Sequence, residues 1–154
     1  MRTGRARGRP GGDAGSALVE FCFLAVLLLV PVVYLVLTLG RLQAAAFATE
    51  GAAREAGRAF VTADDEASGR ERAAVAALIA FADQGFHDER LAAIDVECAD
   101  DPCLGPDSRV VVRATLQVVL PAVPRLVDRL VPARVRVDAT HVSTVDRFSA
   151  RAAR

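Results

Sequence analysis

Glu20 is the residue whose type and position most suggest chemistry. It is the only charged residue between Ser16 and Leu39, in a stretch that is otherwise almost entirely apolar. An ionised group at the centre of a membrane helix costs about 2.5–3.5 kcal/mol on insertion scales, and acids in such segments are usually functional. We therefore expect Glu20 to have a specific partner. The alternative is an acid at the membrane interface that reaches into the headgroups.

The other residues that support catalysis or metal binding are not spaced for it. His87 and His141 fall in different predicted elements, without cysteine or acid at ligand spacing. Ser143 and Asp146 lie too close to His141 along one strand to converge into a triad. The acidic run 64–66 lacks the spacing of a calcium loop and indicates a solvated turn. We expect no catalytic residue, metal, cofactor or small-molecule substrate, and hence no enzyme.

The three cysteines fall into two classes. Cys22 lies inside the apolar stretch, where we expect it to face lipid or another helix. Cys98 and Cys103 flank a short polar turn, which suits a local disulfide if this part of the chain reaches an oxidising compartment. In the chain-entropy model a loop this short contributes about 2 kcal/mol.

Composition narrows the class of protein. The 19 basic residues balance the 19 acidic ones, so the charge gives no indication of nucleic-acid binding. Every basic residue is arginine, and lysine and asparagine are absent, which is typical of a high-GC bacterium. The 154 residues suffice for one membrane segment and one small domain.

The element that positions Glu20 is predicted to be a transmembrane helix over residues 16–40. Such a segment forms roughly 36 Å of helix, which crosses a bilayer, and Pro31 is tolerated there. The apolar core is too long for a cleaved secretory signal. Four arginines precede the segment and only Arg41 directly follows it. By the positive-inside rule, residues 1–15 form a basic cytoplasmic leader, and residues 41–154 lie on the outer side of the cytoplasmic membrane.

The exported part is predicted to be an α+β domain over residues 41–146, with a basic, disordered tail over 147–154. An Ala-rich pattern over 42–61 extends the membrane helix, with Leu42, Ala46, Ala53, Ala56 and Phe60 near its buried face. Its other small residues suit either another helix or the protein's own domain.

The rest of the domain is predicted to hold a second helix and a three-stranded antiparallel sheet. The helix covers 71–86, with Gly85 as its C-cap and a buried face formed by Val75, Leu78, Ile79 and Ala82. Alternating patterns predict strands near 94–98, 110–120 and 134–145. The apolar run 121–132 is a short helix or connection, for which core packing is favoured over an exposed contact.

Residues 15–21, Gly-Ser-Ala-Leu-Val-Glu-Phe, resemble the class III signal of type IV pilin-like proteins. They follow a basic leader and open an apolar helix, as that signal does. Together with Pro31 and with Gly40-Arg41 at the end of the apolar stretch, this motif makes the chain similar to the TadE-like pseudopilins of the tight-adherence (Flp) pilus system. The specific match is confined to residues 15–40, and the remainder is similar only in layout.

The resemblance implies a cut by a membrane prepilin peptidase between Gly15 and Ser16. Glu20 would then be the fifth residue of the mature chain, followed by Phe21. An amine and a carboxylate about 4 Å apart attract by roughly 4 kcal/mol at an effective dielectric of ~20. Glu20 of one subunit would therefore neutralise the new Ser16 amine of its neighbour during packing.

We accordingly predict a minor pilin or pseudopilin subunit that assembles a Flp-type pilus or a related secretion apparatus. Its partners would be prepilin peptidase, other pilin-like subunits and the tight-adherence membrane platform. The alternative is an uncleaved single-pass membrane protein whose extracytoplasmic domain binds a ligand or an envelope component.

Overall fold

The computed structural model describes residues 13–120 and 134–148, and side chains from residue 17 onward except that of Glu89. Most of the predicted leader, the run 121–132 and residues 149–154 of the tail lie outside these residues. The described elements, with a short 3-10 turn before the first strand, are α1 (Asp13–Val61), α2 (Glu66–Asp83), β1 (Ala92–Cys98), β2 (Arg109–Val119) and β3 (Arg134–Thr144). They confirm the predicted set of a long apolar helix, a second helix and a three-stranded sheet.

α1 contributes to two compact units, residues 1–37 and 38–154. In the first unit it begins at Asp13, three residues before the predicted start, and continues through Pro31. Every side chain from Ala17 to Leu37 is exposed. An apolar window of α1 reaches a mean hydropathy of 2.8 with no residue buried. This helix therefore has the length and composition to cross a membrane.

In the second unit, residues 38–61 of α1 supply part of the core. The helix extends to Val61, as the Ala-rich pattern predicted. Ala48 and Ala52 are buried in the core of their own domain. The small residues at these two positions therefore pack within the domain and not against a helix of another molecule. Ala46, expected on the buried face, is exposed, whereas its neighbour Ala45 is buried.

The sheet has the order β1-β2-β3, and both pairs are antiparallel. β2 is the central strand, and its predicted alternation is confirmed, since Val110, Val112, Ala114, Leu116 and Val118 are all buried. The inward residues of β3 are only half-buried. On the outer face, Asp95 of β1 lies opposite Arg113 of β2 in the register, as expected for a solvated face with paired charges.

α2 begins five residues earlier than predicted. The backbone N–H of Ser68 donates to Asp65 Oδ1 at 2.9 Å, so Asp65 is the N-cap and Glu66 belongs to the first turn. The predicted solvated turn is confirmed for Asp64 and Asp65, which lie in an exposed bend, and is wrong for Glu66, which belongs to α2. The side chain of Asp65 satisfies a backbone donor that the helix leaves free.

The C-terminal end of α2 follows the sequence more closely. Gly85 has φ 78°, and its N–H donates to the carbonyl of Ala82 at 2.9 Å. The N–H of Phe86 donates to the carbonyl of Phe81 at 3.0 Å. These two bonds form the Schellman motif that ends helices at a left-handed glycine.

The predicted buried face of α2 is wrong. Its buried residues are Gly69, Ala73, Ala77 and Phe81, whereas Val75 and Ile79 are exposed. The close contact with α1 explains the difference, because a Cβ at position 69 would lie 3.0 Å from a ring carbon of Phe60. A residue larger than glycine would crowd Phe60 at position 69, whereas the large Phe81 is accommodated at the other end of this line.

Candidate functional site

The four residues of the predicted processing and assembly site lie in one helix. The backbone of Gly15 and Ser16 belongs to the first turns of α1, and Glu20 and Phe21 are exposed further along it. Ser16 and Glu20 are four residues apart and therefore share a helix face, with an axial separation of about 6 Å. An amine at residue 16 and the carboxylate of Glu20 would thus lie on the same side of the helix.

No neighbouring residue of α1 offers Glu20 a counter-charge. The side chains from Ala17 to Leu24 that lie one turn before and after it are apolar and exposed. Within the described part of α1, a cation for Glu20 could come only from an amine at residue 16. Such a source fits an acid that acts in assembly.

Cys98 and Cys103 form a disulfide, as predicted. It joins the end of β1 to the β1–β2 loop, and Cys103 is part of the buried core. Backbone hydrogen bonding reinforces the loop, since the N–H of Arg109 donates to Asp100 Oδ2 at 3.0 Å. The bridge thus has a structural role, and Cys22 is a free, exposed cysteine.

One set of potential metal ligands occurs next to this bridge. A carboxylate oxygen of Glu66 lies within 4.8 Å of both sulfur atoms. The two sulfurs are bonded to each other, whereas a metal needs cysteine as thiolate. This cluster is therefore a consequence of where the disulfide packs, at the start of α2.

His141 and Ser143 have packing roles in β3. Both are half-buried, and both lie next to Gly57 of α1, where an added Cβ would contact Ser143 Oγ. Asp146 accepts a hydrogen bond from the backbone N–H of Phe148 at 2.9 Å. His87 is exposed in the loop after α2.

Arg41 is the first charged residue after the apolar stretch, and it packs on the domain. Its guanidinium carbon lies 4.1 Å from the centroid of the Phe86 ring. Its Nη2 donates to the carbonyl of Gly85 at 3.4 Å. This arginine therefore links the start of the domain part of α1 to the end of α2.

Sequence reasoning missed a shallow groove on the outer side of α2. It is lined by Ser68, Glu71, Arg72, Val75, Ala76 and Ile79. The signal was in the sequence, because the small residues at positions 69, 73 and 77 also recur every four residues. A line of small residues predicts a face that contacts another helix closely, just as the line of Val75 and Ile79 predicts a buried face.

Comparisons of the chain with protein-family models, curated proteins and solved structures found no match. The evidence for function is therefore in three features of the molecule. They are the apolar stretch of α1, the single acid Glu20 between Ser16 and Leu39, and the domain that incorporates the second half of the helix.

Proposed function

We propose that this protein is a minor pilin-like subunit, similar to the TadE-like pseudopilins, that assembles a tight-adherence pilus or a related secretion apparatus. The observation that carries the proposal is α1, a helix of 49 residues. Its first half is apolar and exposed, and one face of its second half is buried in the core of an α+β domain. Such a helix suits a subunit that packs against other apolar helices and displays a domain at the same time.

Processing is the first step of the proposed function. The prepilin peptidase removes residues 1–15 on the cytoplasmic side of the membrane and leaves Ser16 as the N-terminus. The arginines of the leader, Arg2, Arg5, Arg7 and Arg9, are removed with it. The apolar half of α1 then carries two charges near one end, the new amine and Glu20.

Assembly is the second step. A carboxylate exposed on an apolar helix is stabilised when a neighbouring helix supplies a cation. The Ser16 amine of an adjacent subunit supplies one, and pairing occurs only when the two helices have the correct axial offset. Glu20 therefore fixes the register between neighbouring subunits.

The protein lies in the cytoplasmic membrane with its N-terminus inside and its domain outside. The disulfide between Cys98 and Cys103 supports this placement, because disulfides persist in oxidising compartments outside the cytosol. The four leader arginines support it as well.

Processing is tested by mass spectrometry of the N-terminus in cells with and without prepilin peptidase. We expect Ser16 in competent cells and an intact leader in the others. Gly15→Leu should block the cut, and Gly12→Leu, a matched change in the leader, should leave it intact. Met1 in competent cells would contradict processing and favour an uncleaved membrane protein whose domain binds an envelope component.

The register role is tested with Glu20→Gln, which removes the charge and keeps the shape. We expect the processed variant to lose co-purification with other pilin-like subunits. Leu24→Met, a volume-conserving apolar change one turn further along the exposed helix, is the control and should retain it. Normal assembly of Glu20→Gln would contradict the role of the charge.

A further inference from the structure

The outer side of α2 carries large aliphatic residues that the core of the described residues does not include. Val75 and Ile79 are 54% and 58% exposed, while the buried positions of the same helix are Gly69, Ala73, Ala77 and Phe81. Burial of large aliphatic side chains is a main source of folding stability. Exposed apolar residues that line a groove therefore point to a contact with another molecule.

Ser68, Arg72, Val75 and Ile79 are spaced by four, three and four residues. We name this line the α2 stripe. The spacing is the a/d repeat by which two helices pack side by side, with Arg72 and Ile79 at a positions and Ser68 and Val75 at d positions. The stripe is short, and it begins in the first turn after the Asp65 N-cap.

We propose that the α2 stripe pairs with the α2 stripe of a second copy of this chain, with the two helices parallel. Charge complementarity favours a copy of the same chain. Glu71 directly precedes Arg72 and occupies a g position, and both line the groove. In a parallel pair, an a residue packs beside the partner's g residue, so Arg72 of each copy lies next to Glu71 of the other.

The parallel direction rests on the membrane anchoring in the proposed function. Within the domain, α2 runs antiparallel to residues 41–60 of α1, since Arg41 contacts Gly85 and Phe60 contacts Gly69. Two copies that leave one membrane with the same topology enter their domains from the same side. Their α2 helices therefore run in the same direction when they lie side by side.

The pairing also explains why a charged residue, Arg72, lies in the α2 stripe. A charged residue at an a position weakens a helix pair and restricts the registers that it can adopt. In the in-register pair Arg72 also faces its counterpart, and this register places the partner's Glu71 beside it to offset that repulsion. The two central aliphatic residues, Val75 and Ile79, then contact their own counterparts.

Cysteine cross-linking of the full chain in native membranes tests the pairing. In a Cys22→Ala background, Val75→Cys and Ile79→Cys should each give a disulfide-linked homodimer on mild oxidation. Ala74→Cys is the matched control, because residue 74 is also exposed but lies about 100° from residue 75. It should give severalfold less dimer, and equal yields at 74 and 75 would overturn the proposal.

The direction is tested by co-expressing Glu71→Cys and Asp83→Cys chains that carry different tags. In the parallel pair these residues are about 18 Å apart along the axis and should not cross-link. A mixed 71–83 dimer would overturn the parallel arrangement. A product in which Val75→Cys is linked only to a different protein would overturn the second copy as the partner.

The charge argument is tested in the Val75→Cys background. Arg72→Glu and Glu71→Arg each place like charges together and should lower the dimer yield severalfold. The double exchange Glu71→Arg with Arg72→Glu should restore it. Single and double variants with equal yields would overturn the proposed contact.

Failure of this inference can be told apart from failure of the proposed function. The dimer should form in cells with and without prepilin peptidase, because α2 lies far along the chain from Gly15. A Ser16 N-terminus without dimers would overturn the α2 pairing alone. Dimers formed by chains that retain Met1 in competent cells would overturn processing alone.

Discussion

Asp65 caps α2 through its carboxylate. The backbone N–H of Ser68, and secondly the Ser68 hydroxyl, donate to this carboxylate and lower the pKa of Asp65 below its usual value of 3.8. Hydrogen bonds that favour the charged form lower a carboxyl pKa in this way. The folded protein therefore binds this proton less readily than the unfolded chain does.

A depressed pKa in the folded state gives stability that is present above the pKa of the unfolded chain, near 3.9. That stability is lost as the pH falls through the lower pKa of the folded state. We expect Asp65→Ala to unfold at lower denaturant concentration than the native chain at pH 7, and this difference to shrink below about pH 4. Denaturation of the full chain in detergent at several pH values measures it.

Asp65→Asn is the matched control for the charge. Asparagine caps helices nearly as well as aspartate but does not titrate in this range. Its stability relative to Asp65→Ala should therefore stay constant between pH 3 and 7. A difference between Asp65→Ala and the native chain that does not change with pH would contradict the role of ionisation.

Individual residues show why sequence predicted one end of α2 and not the other. Gly85 was identified as a cap because a left-handed backbone conformation almost requires glycine. Asp65 is one of three consecutive acids, and each could belong to a turn. The residue three positions later gives no clear signal, because an N-cap side chain accepts from a backbone N–H, which every residue except proline carries.

At the scale of elements, α1 approaches β3 closely at Gly57. A Cβ there would contact Ser143 Oγ and lie 3.4 Å from Ser143 Cβ, whereas a Cβ at Gly51 has no heavy atom within 4 Å. The same substitution at these two positions of one helix should therefore have opposite effects.

We expect Gly51→Ala to raise the free energy of unfolding by about 0.5–1 kcal/mol, because alanine favours helix. Gly57→Ala should lower it by about 1–2 kcal/mol, because the extra methyl overpacks the contact with β3. Adding Ser143→Ala to Gly57→Ala should recover most of the loss. Equal gains at both positions in chemical denaturation would contradict the close approach.

The disulfide connects β1 to its loop, and its removal tests how much it stabilises the domain. The chain-entropy model predicts that Cys98→Ser with Cys103→Ser lowers the free energy of unfolding by about 2 kcal/mol. Reduction of the native chain should shift the denaturation midpoint in the same direction. Cys22→Ser is the control and should leave the midpoint unchanged, since Cys22 is exposed and unbonded.

Elements differ in how far sequence determines them. β2 was predicted well, because a central strand with one buried face shows strict alternation from Val110 to Val118. The inner face of α2 was not, because hydrophobic periodicity gives most weight to Val75 and Ile79. The space beside Phe60 accepts only small residues, and that constraint becomes visible once α1 and α2 are packed.

At the scale of the whole molecule, the order of helix, helix and three strands followed from the sequence. The direction of insertion stays a prediction, and protease added to spheroplasts tests it. We expect digestion of the domain without lysis, and loss of that sensitivity when the four leader arginines are replaced by serine, because the charge bias that orients the chain is then removed. Protection of the native domain until lysis would contradict the proposed topology.

The predicted processing and assembly site can be recognised without knowledge of the fold, whereas the core residues cannot. Gly15, Ser16, Glu20 and Phe21 are local in sequence, so their spacing alone defines them. The α2 stripe is the opposite case, since its exposure depends on which side of α2 contacts Phe60. A motif of neighbouring residues can be recognised in the sequence, whereas a surface such as the α2 stripe can be recognised only after the helices are packed.

The burial of residues 45–60 of α1 in the domain core also limits how the protein can be released from a membrane. Many anchored proteins are shed when a protease cuts a linker between anchor and domain. Here a cut just after Ala45 would remove that buried residue with the anchor, and cuts further along α1 would also remove Ala48, Ala52 and finally Phe60 from the core. The released fragment would lack part of its interior and would unfold, so an intact, soluble form of this domain must retain most of the second half of α1.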